Sequence, residues 1–264
     1  ITKVDSRIDA MRAKYAADPE FQKHEALLDN GIDLARLTYP EVRTLRCQMQ
    51  YIFQDPYSSL NPRMTVANII GEGLLAHKYC KKANERMHEE ILQTMEDCGL
   101  APYFLHRYPH QFSGGQRQRI GIARSLAVHP KFVVCDEAVS ALDVSIQSQI
   151  INLLQDLKEQ QHLTYLFITH DLSVVKYISD RIGVMYLGNL VELADSQEIF
   201  DHPMHPYTEA LLESIPTTEE KRDLAVLEGD IPSPVNPPKG CKFHTRCKYC
   251  TEICTHVVPD WEEH

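Results

Sequence analysis

The chain has 264 residues, 43% of them hydrophobic, and a formal net charge of −10. That length allows one good core plus an appendage, and the acidic balance argues against a nucleic-acid footprint. No apolar run approaches the roughly 20 residues needed to span a bilayer, so any membrane role has to pass through partner subunits. The chain opens on Ile1 rather than Met and shows no signal-peptide pattern, which reads as a fragment.

Val4, Ile8, Met11 and Tyr15 recur at helical spacing and give residues 1–30 a narrow apolar stripe. Asp18-Pro19 breaks the pattern ahead of a second short helix over residues 20–29. This segment reads as an insert or linker without chemistry. Residues 49–53 predict a short buried strand that stops at Gln54-Asp55-Pro56. Residues 64–108 are mostly helical in pattern, interrupted by Gly71, Gly73 and Lys81-Lys82. A helix over 116–129 places Ile120, Ala123 and Ala127 on one face. Residues 132–135 are all apolar, as expected of a parallel strand covered on both faces. A helix over 145–160 and a strand over 164–169 complete a βαβ unit with a right-handed crossover. A further strand is expected over 182–186, with a turn at Gly188-Asn189. Composition changes near residue 201: eight of the fifteen prolines lie from Pro203 onward, which predicts a loop-rich tail.

Asp136 stands where an apolar strand ends, the place where open α/β sheets bind ligands. An acidic residue there suits a hydrated Mg²⁺ bridging phosphates. Glu137 follows and is placed to orient or deprotonate an attacking water. Ser113-Gly114-Gly115 opens a helix, a cap that offers backbone N–H groups to an anion at the positive end of the dipole. His170 ends the strand expected beside that of Asp136, where an imidazole can bond a γ-phosphate and the water. Gln54 lies between a strand and a proline, and its amide can reach the metal or the water in one conformation and withdraw in another. Each residue alone is an ordinary strand-end, cap or loop residue.

Their order and spacing carry the weight. Phe112-Ser113-Gly114-Gly115-Gln116-Arg117-Gln118-Arg119, then Phe132-Val133-Val134-Cys135-Asp136-Glu137, Ser140-Ala141-Leu142-Asp143 and Thr169-His170-Asp171 resemble the signature, Walker B, D-loop and switch-histidine motifs of an ABC-type ATPase. Gln54-Asp55-Pro56-Tyr57-Ser58-Ser59-Leu60-Asn61-Pro62, Ser140–Gln147 and His205-Pro206-Tyr207-Thr208 narrow this to the oligopeptide/dipeptide importer ATPases, a group that includes nickel and glutathione transporters. The resemblance implies an α/β P-loop NTPase (RecA-like) core over about 31–200, a helical subdomain over about 55–130, and a Pro/Cys-rich extension over 201–264. It implies ATP and Mg²⁺ as cofactors, with Asp136 and Gln54 toward Mg²⁺. Glu137 and His170 would be catalytic, and Ser113, Gly114, Gly115, Gln116 and Asp143 would contact nucleotide. Two ATPase subunits would sandwich two ATP molecules head to tail. The implied partners are a second ATPase subunit, two transmembrane permease subunits and an extracytoplasmic peptide-binding protein, with no nucleic acid. The implied place is the cytoplasmic face of the plasma membrane.

The chain departs from that family in several respects. No Gly-Lys pair occurs in it, so the P-loop G-x-x-x-x-G-K-[ST] is missing, as is the upstream aromatic that stacks on adenine. Phe112 replaces a usual leucine, and Ala138 stands where proline is common. The chain alone is therefore expected to be inactive. Two other readings remain: a soluble ABC ATPase of repair or translation, opposed by the acidic charge, the single cassette and the tail; and a non-hydrolysing partner that completes another subunit's site, opposed by the intact Glu137 and His170.

The cysteines form two groups. Cys47, Cys80, Cys98 and Cys135 are scattered and read as small buried residues in a reducing compartment. Cys241, Cys247, Cys250 and Cys254 crowd into fourteen residues, too densely for core residues. Cys241, Cys247 and Cys254 are similar in spacing to the family's cysteine-bearing extension, which implies a [4Fe–4S] cluster. The fourth ligand is then Cys250 or a cysteine beyond His264. Cys247-x-x-Cys250 keeps a Cys₄ zinc site as the alternative.

Overall fold

A computed structural model of the chain describes residues 12–16, 18, 19, 21, 22, 33–80, 84–214, 230 and 232–263. It divides into two compact units, Ile1–Leu45 and Arg46–His264. In the first, Asp33 caps a short 3₁₀ turn at Leu34–Arg36 by accepting the Ala35 N–H at 3.0 Å. Helix α1, Tyr39–Gln48, begins after Thr38, whose hydroxyl donates to Glu41 at 2.6 Å, and its last three residues belong to the second unit. Of the expected N-terminal stripe Tyr15 is exposed, whereas Val4, Ile8, Met11 and most of residues 20–29 lie outside the described residues.

The second unit is organised by a three-stranded parallel sheet in the order β1 (Met49–Ile52), β2 (Phe132–Asp136), β3 (Thr164–Ile168). The register aligns Tyr51 with Val134 and Leu166, and Ile52 with Cys135 and Phe167. Side chains alternate across a sheet, so these rows lie on opposite faces. Ile52, Val133 and Cys135 join the main core with Ile120, Ile122, Ile150 and Leu154. The last four come from helices α4 (Gly114–Leu126) and α5 (Val144–Gln161). Helix α5 links β2 to β3, the predicted βαβ order.

The other face corrects an expectation. Residues 132–135 are not covered on both sides: Phe132 and Val134 are only half-buried, and Leu166 and Ile168 on the adjacent strand are 50% and 46% exposed. An apolar run records composition but not which elements lie over it.

Helices α2 (Val66–Ala76) and α3 (Glu85–Asp97) pack with α4. Gly71 and Gly73 do not interrupt the helical pattern but sit inside α2. A Cβ on Gly71 would stand 2.3 Å from Met87 Cε and 3.1 Å from Ile91 Cδ1, so this glycine allows α3 to approach closely. Lys81-Lys82 lie outside the described residues.

Strands β4 (Arg181–Tyr186) and β5 (Asn189–Asp195) form an antiparallel hairpin. Leu187 and Gly188 turn it with φ of 44° and 78°, the paired positive values of a tight hairpin. The sequence indicated only the first of these strands. Helix α6 (Leu172–Ile178) precedes the hairpin, and α7 (Ser196–Asp201) and α8 (Pro206–Glu213) follow it. Ile182, Val184 and Ile199 make a second small core. Described residues of the tail contain 3₁₀ turns at His244–Arg246 and Glu252–Thr255, in keeping with its prolines.

Of the scattered cysteines, Cys80, Cys98 and Cys135 are buried, and burial pushes the thiols of Cys98 and Cys135 up to about 12. Cys47 is only half-buried, with its Sγ 2.8 Å from His77 Nδ1, against the expectation for it. Leu154 lies fully inside the main core, so Leu154→Ala should lower unfolding stability by about 2–5 kcal/mol, as urea denaturation would measure.

Candidate functional site

The parallel register brings the carboxyl ends of all three strands to one edge. Gln54 leaves β1, Asp136 and Glu137 end β2, and His170 leaves β3. The Glu137 N–H donates to Ile168 O at 2.9 Å, extending the ladder one residue beyond β2. Its φ of 44° is unusual for a side-chain-bearing residue and turns the chain sharply there. The turn is closed by the Ser140 N–H and hydroxyl, each 3.0 Å from Glu137 O.

Three predicted residues then meet at one carboxylate. The Gln54 amide donates to Glu137 Oε2 at 2.6 Å, and His170 Nδ1 lies 3.3 Å from Oε1. The Glu137 side chain is 28% exposed and that of His170 74%. Asp136 accepts a hydrogen bond on Oδ2 from the Tyr51 hydroxyl. That bond is the first cause of a Tyr51 pKa held above its ordinary value, with burial second. Tyr51 was not among the predicted residues. Its signal was the register: it lies two residues before Phe53, on the face of the sheet that carries Asp136.

A second group forms around the start of α4. Ser113 caps the helix as expected: its Oγ accepts the Gln116 N–H at 3.4 Å, and Gln116 Oε1 accepts the Ser113 N–H at 3.1 Å. Gly114 is exposed. Gly115 is buried, and a Cβ there would stand 2.4 Å from Ile146 Cγ2, so close packing on α5 also fixes this glycine. Asp143 caps α5, accepting the Ile146 N–H at 3.0 Å and the Ser145 hydroxyl at 2.8 Å. These bonds, the backbone one first, hold its carboxyl below the usual range. Its bonds therefore serve its own turn and not the Asp136–His170 edge. Gln147 one turn on donates to Asp171 Oδ2 at 3.3 Å, linking α5 to the residue after His170.

The tail forms a third feature. The Cys241 N–H donates to Cys254 O at 2.9 Å and closes the cysteine loop. Gly240 before it has φ of 67°, and a Cβ there would stand 2.5 Å from Cys254 O. The Thr251 hydroxyl lies 3.3 Å from Cys254 Sγ and is the main reason that thiol's pKa is lowered. Burial, then the charges of Cys254, Cys247 and Cys241, raise that of Cys250, so the four thiols share one electrostatic neighbourhood. Among the described residues, however, no three His, Cys, Asp or Glu side chains are arranged to hold a metal ion. Phe243 is buried against Tyr186, Tyr207 and His205, with ring centroids 5.2, 5.4 and 5.9 Å away. Lys248 adds ion pairs to Glu209 at 2.9 Å and Glu213 at 3.5 Å.

Comparison with known proteins places these features in context. The ABC transporter family matches residues 16–140, and the oligopeptide/dipeptide transporter C-terminal region matches residues 191–254. The oligopeptide transport ATP-binding protein AppF of Bacillus subtilis (strain 168) is 51% identical over 243 residues, covering 90% of this chain and 73% of that protein. OppF of Escherichia coli (strain K12), likewise named an oligopeptide transport ATP-binding protein, is 48% identical over 233 residues, 87% and 70% of the two chains. The ATP-binding cassette MJ0796, in a dimeric post-hydrolysis state bound to ADP and Pi, is similar in structure with a TM-score of 0.56 and 27% identity, over 64% of this chain and 72% of that one. No helix among the described residues is long and apolar enough to cross a membrane.

Gly115→Ala should destabilise the fold by about 1–3 kcal/mol through overlap with Ile146. Ile146→Ala in the same chain should recover part of that loss in a double-mutant denaturation cycle. Additive losses would show that the contact is not what excludes a side chain at residue 115.

Proposed function

This chain belongs to the ATP-binding subunits of oligopeptide/dipeptide-type ABC transporters, and from that membership we propose how its residues divide the work of ATP-driven import. The carrying observation is the meeting of Gln54, Glu137 and His170 beside Asp136 at the carboxyl edge of the sheet. Glu137 acts as the base toward the attacking water. His170, on its Oε1 side, orients the carboxylate and meets the γ-phosphate. Gln54, on its Oε2 side, withdraws or engages as the neighbouring helices respond to the permease. Ser113, Gly114 and Gln116 present a capped helix terminus to the phosphates held by a second ATPase subunit, and Asp143 sets the start of α5 beside them.

Asp136, a carboxylate at a strand end on the uncovered face, fits a hydrated Mg²⁺, with Gln54 as the second residue toward it. The ion would supply charge neutralisation at the phosphates when bound. The sequence holds no Gly-Lys pair, so the phosphate cradle has to come from a P-loop beyond these residues. The subunit works on the cytoplasmic face of the membrane, with two permease subunits, a second ATPase and an extracytoplasmic peptide-binding protein. A soluble repair or translation ATPase is disfavoured by the match of residues 191–254 to the transporter extension.

We also propose that Cys241, Cys247 and Cys254, with Cys250 or a further cysteine, ligate a [4Fe–4S] cluster, or a zinc ion in its place. The donor chemistry and the closed loop support this. Among the described residues the thiols are not arranged to hold a metal, so binding requires them to rearrange. The role is structural or regulatory, remote from Glu137 in the sequence.

The 264-residue chain alone should show no ATPase activity above background, whereas joining a P-loop segment upstream of Ile1 should restore Mg²⁺-dependent turnover. In that restored protein Glu137→Gln should slow hydrolysis at least about a hundredfold while nucleotide binding persists. Equal loss of binding would make Glu137 structural. Protein purified without oxygen should be brown and contain iron and sulfide. About one zinc per chain would select the Cys₄ zinc site instead, and four freely alkylated, metal-free thiols would overturn both.

A further inference from the structure

Tyr51 has no place in the catalytic scheme above, yet it is held more firmly than a surface tyrosine needs to be. Its backbone is paired in register with Val134 of β2. Its carbonyl accepts the hydroxyl of Ser125, a residue 1% exposed on the signature helix α4, at 2.9 Å. Its ring lies 4.7 Å from that of Phe53, and the Arg124 guanidinium, also from α4, stands 5.6 Å from the Phe53 ring. With the main chain and ring fixed in this way, the hydroxyl is delivered to Asp136 Oδ2.

We infer that Tyr51 is a positioning residue for the metal carboxylate of the ATPase site: its hydroxyl engages Oδ2 of Asp136 and leaves Oδ1 as the oxygen that meets the hydrated cation. This rests on the reading of Asp136 as the Mg²⁺ residue. A strand-end carboxylate has two oxygens and a free χ2, so an unrestrained one exchanges them. A donor on one oxygen removes that choice before the metal arrives, and a hydrogen bond to a charged group is among the stronger ones available. The same contact ties α4, through Ser125 and Tyr51, to the cation side of the site. A shift of the signature helix would therefore be felt at Asp136 without passing through Gln54.

The test uses the P-loop-restored protein in its permease complex, loaded with a non-hydrolysable ATP analogue. Mn²⁺ replaces Mg²⁺, so that electron paramagnetic resonance counts bound and free ion. Tyr51→Phe removes only the hydroxyl, and Tyr51→Met keeps an apolar filling of similar reach. Both should weaken Mn²⁺ binding by about tenfold, the lower end for a charged hydrogen bond. Analogue affinity without metal should be unchanged. In turnover, the Mg²⁺ concentration for half-maximal rate should rise while the rate at saturating Mg²⁺ stays within about twofold. Unchanged Mn²⁺ affinity in both variants, or equal loss of metal-free analogue binding, would overturn the assignment. If the parent protein binds the analogue but shows no Mn²⁺ dependence that Asp136→Asn removes, the metal role of Asp136 fails, and the role of Tyr51 with it.

Discussion

The parallel register of β1, β2 and β3 is the constraint on which the rest of this molecule depends. It ends three strands at one level, so that residues far apart in sequence arrive at one edge. It also assigns faces: Tyr51, Val134 and Asp136 point one way, and Ile52, Val133 and Cys135 the other. A slip of one residue in β1 would send Tyr51 into the core and Ile52 out of it. The Glu137 N–H bond to Ile168 O then fixes where the ladder stops, and the left-handed backbone at Glu137 aims the carboxylate between Gln54 and His170. Local strain at this point is maintained because the sheet and the Ser140 turn determine the geometry from both sides.

What the sequence made legible follows from how local each interaction is. The Ser113 cap, the start of α4 and the Asp143 cap depend on residues within one turn, and their spacing declares them. The strand ends at Asp136 and His170 were legible because an apolar run meets a polar residue there. The exposure of one sheet face was not, because it depends on elements distant in the chain. Strand β5 was hidden for a related reason. Glu192 points inward where an apolar residue would signal a strand, and its carboxylate accepts the N–H groups of Met204 at 2.8 Å and His205 at 3.0 Å. Tyr51 and Ile146 escaped notice because one looks like a strand residue and the other like a helix residue. Only the register and the closeness of Gly115 reveal their contacts.

The tail is joined to the rest of the second unit by ordinary means. Phe243 is held in a box of Tyr186, Tyr207 and His205, burial lowers the pKa of His205, and Lys242 donates to Leu187 O at 3.2 Å and to Asn189 Oδ1 at 3.0 Å in the β4–β5 turn. The cysteine loop is thus carried on the hairpin and α8. This explains how a proline-rich segment with so little regular structure keeps a defined course. Metal or none, the aromatic box sets where the four thiols stand.

The uncovered side of the sheet has a practical consequence. Strand β3 pairs with β2 alone among the described residues, so its far edge offers a row of backbone donors and acceptors beside exposed Leu166 and Ile168. Such an edge templates the addition of any extended chain, including another copy of itself. The open edge therefore sets an expectation for handling the polypeptide: the share in associated form should rise with concentration, and any extended segment that pairs with β3 should lower it.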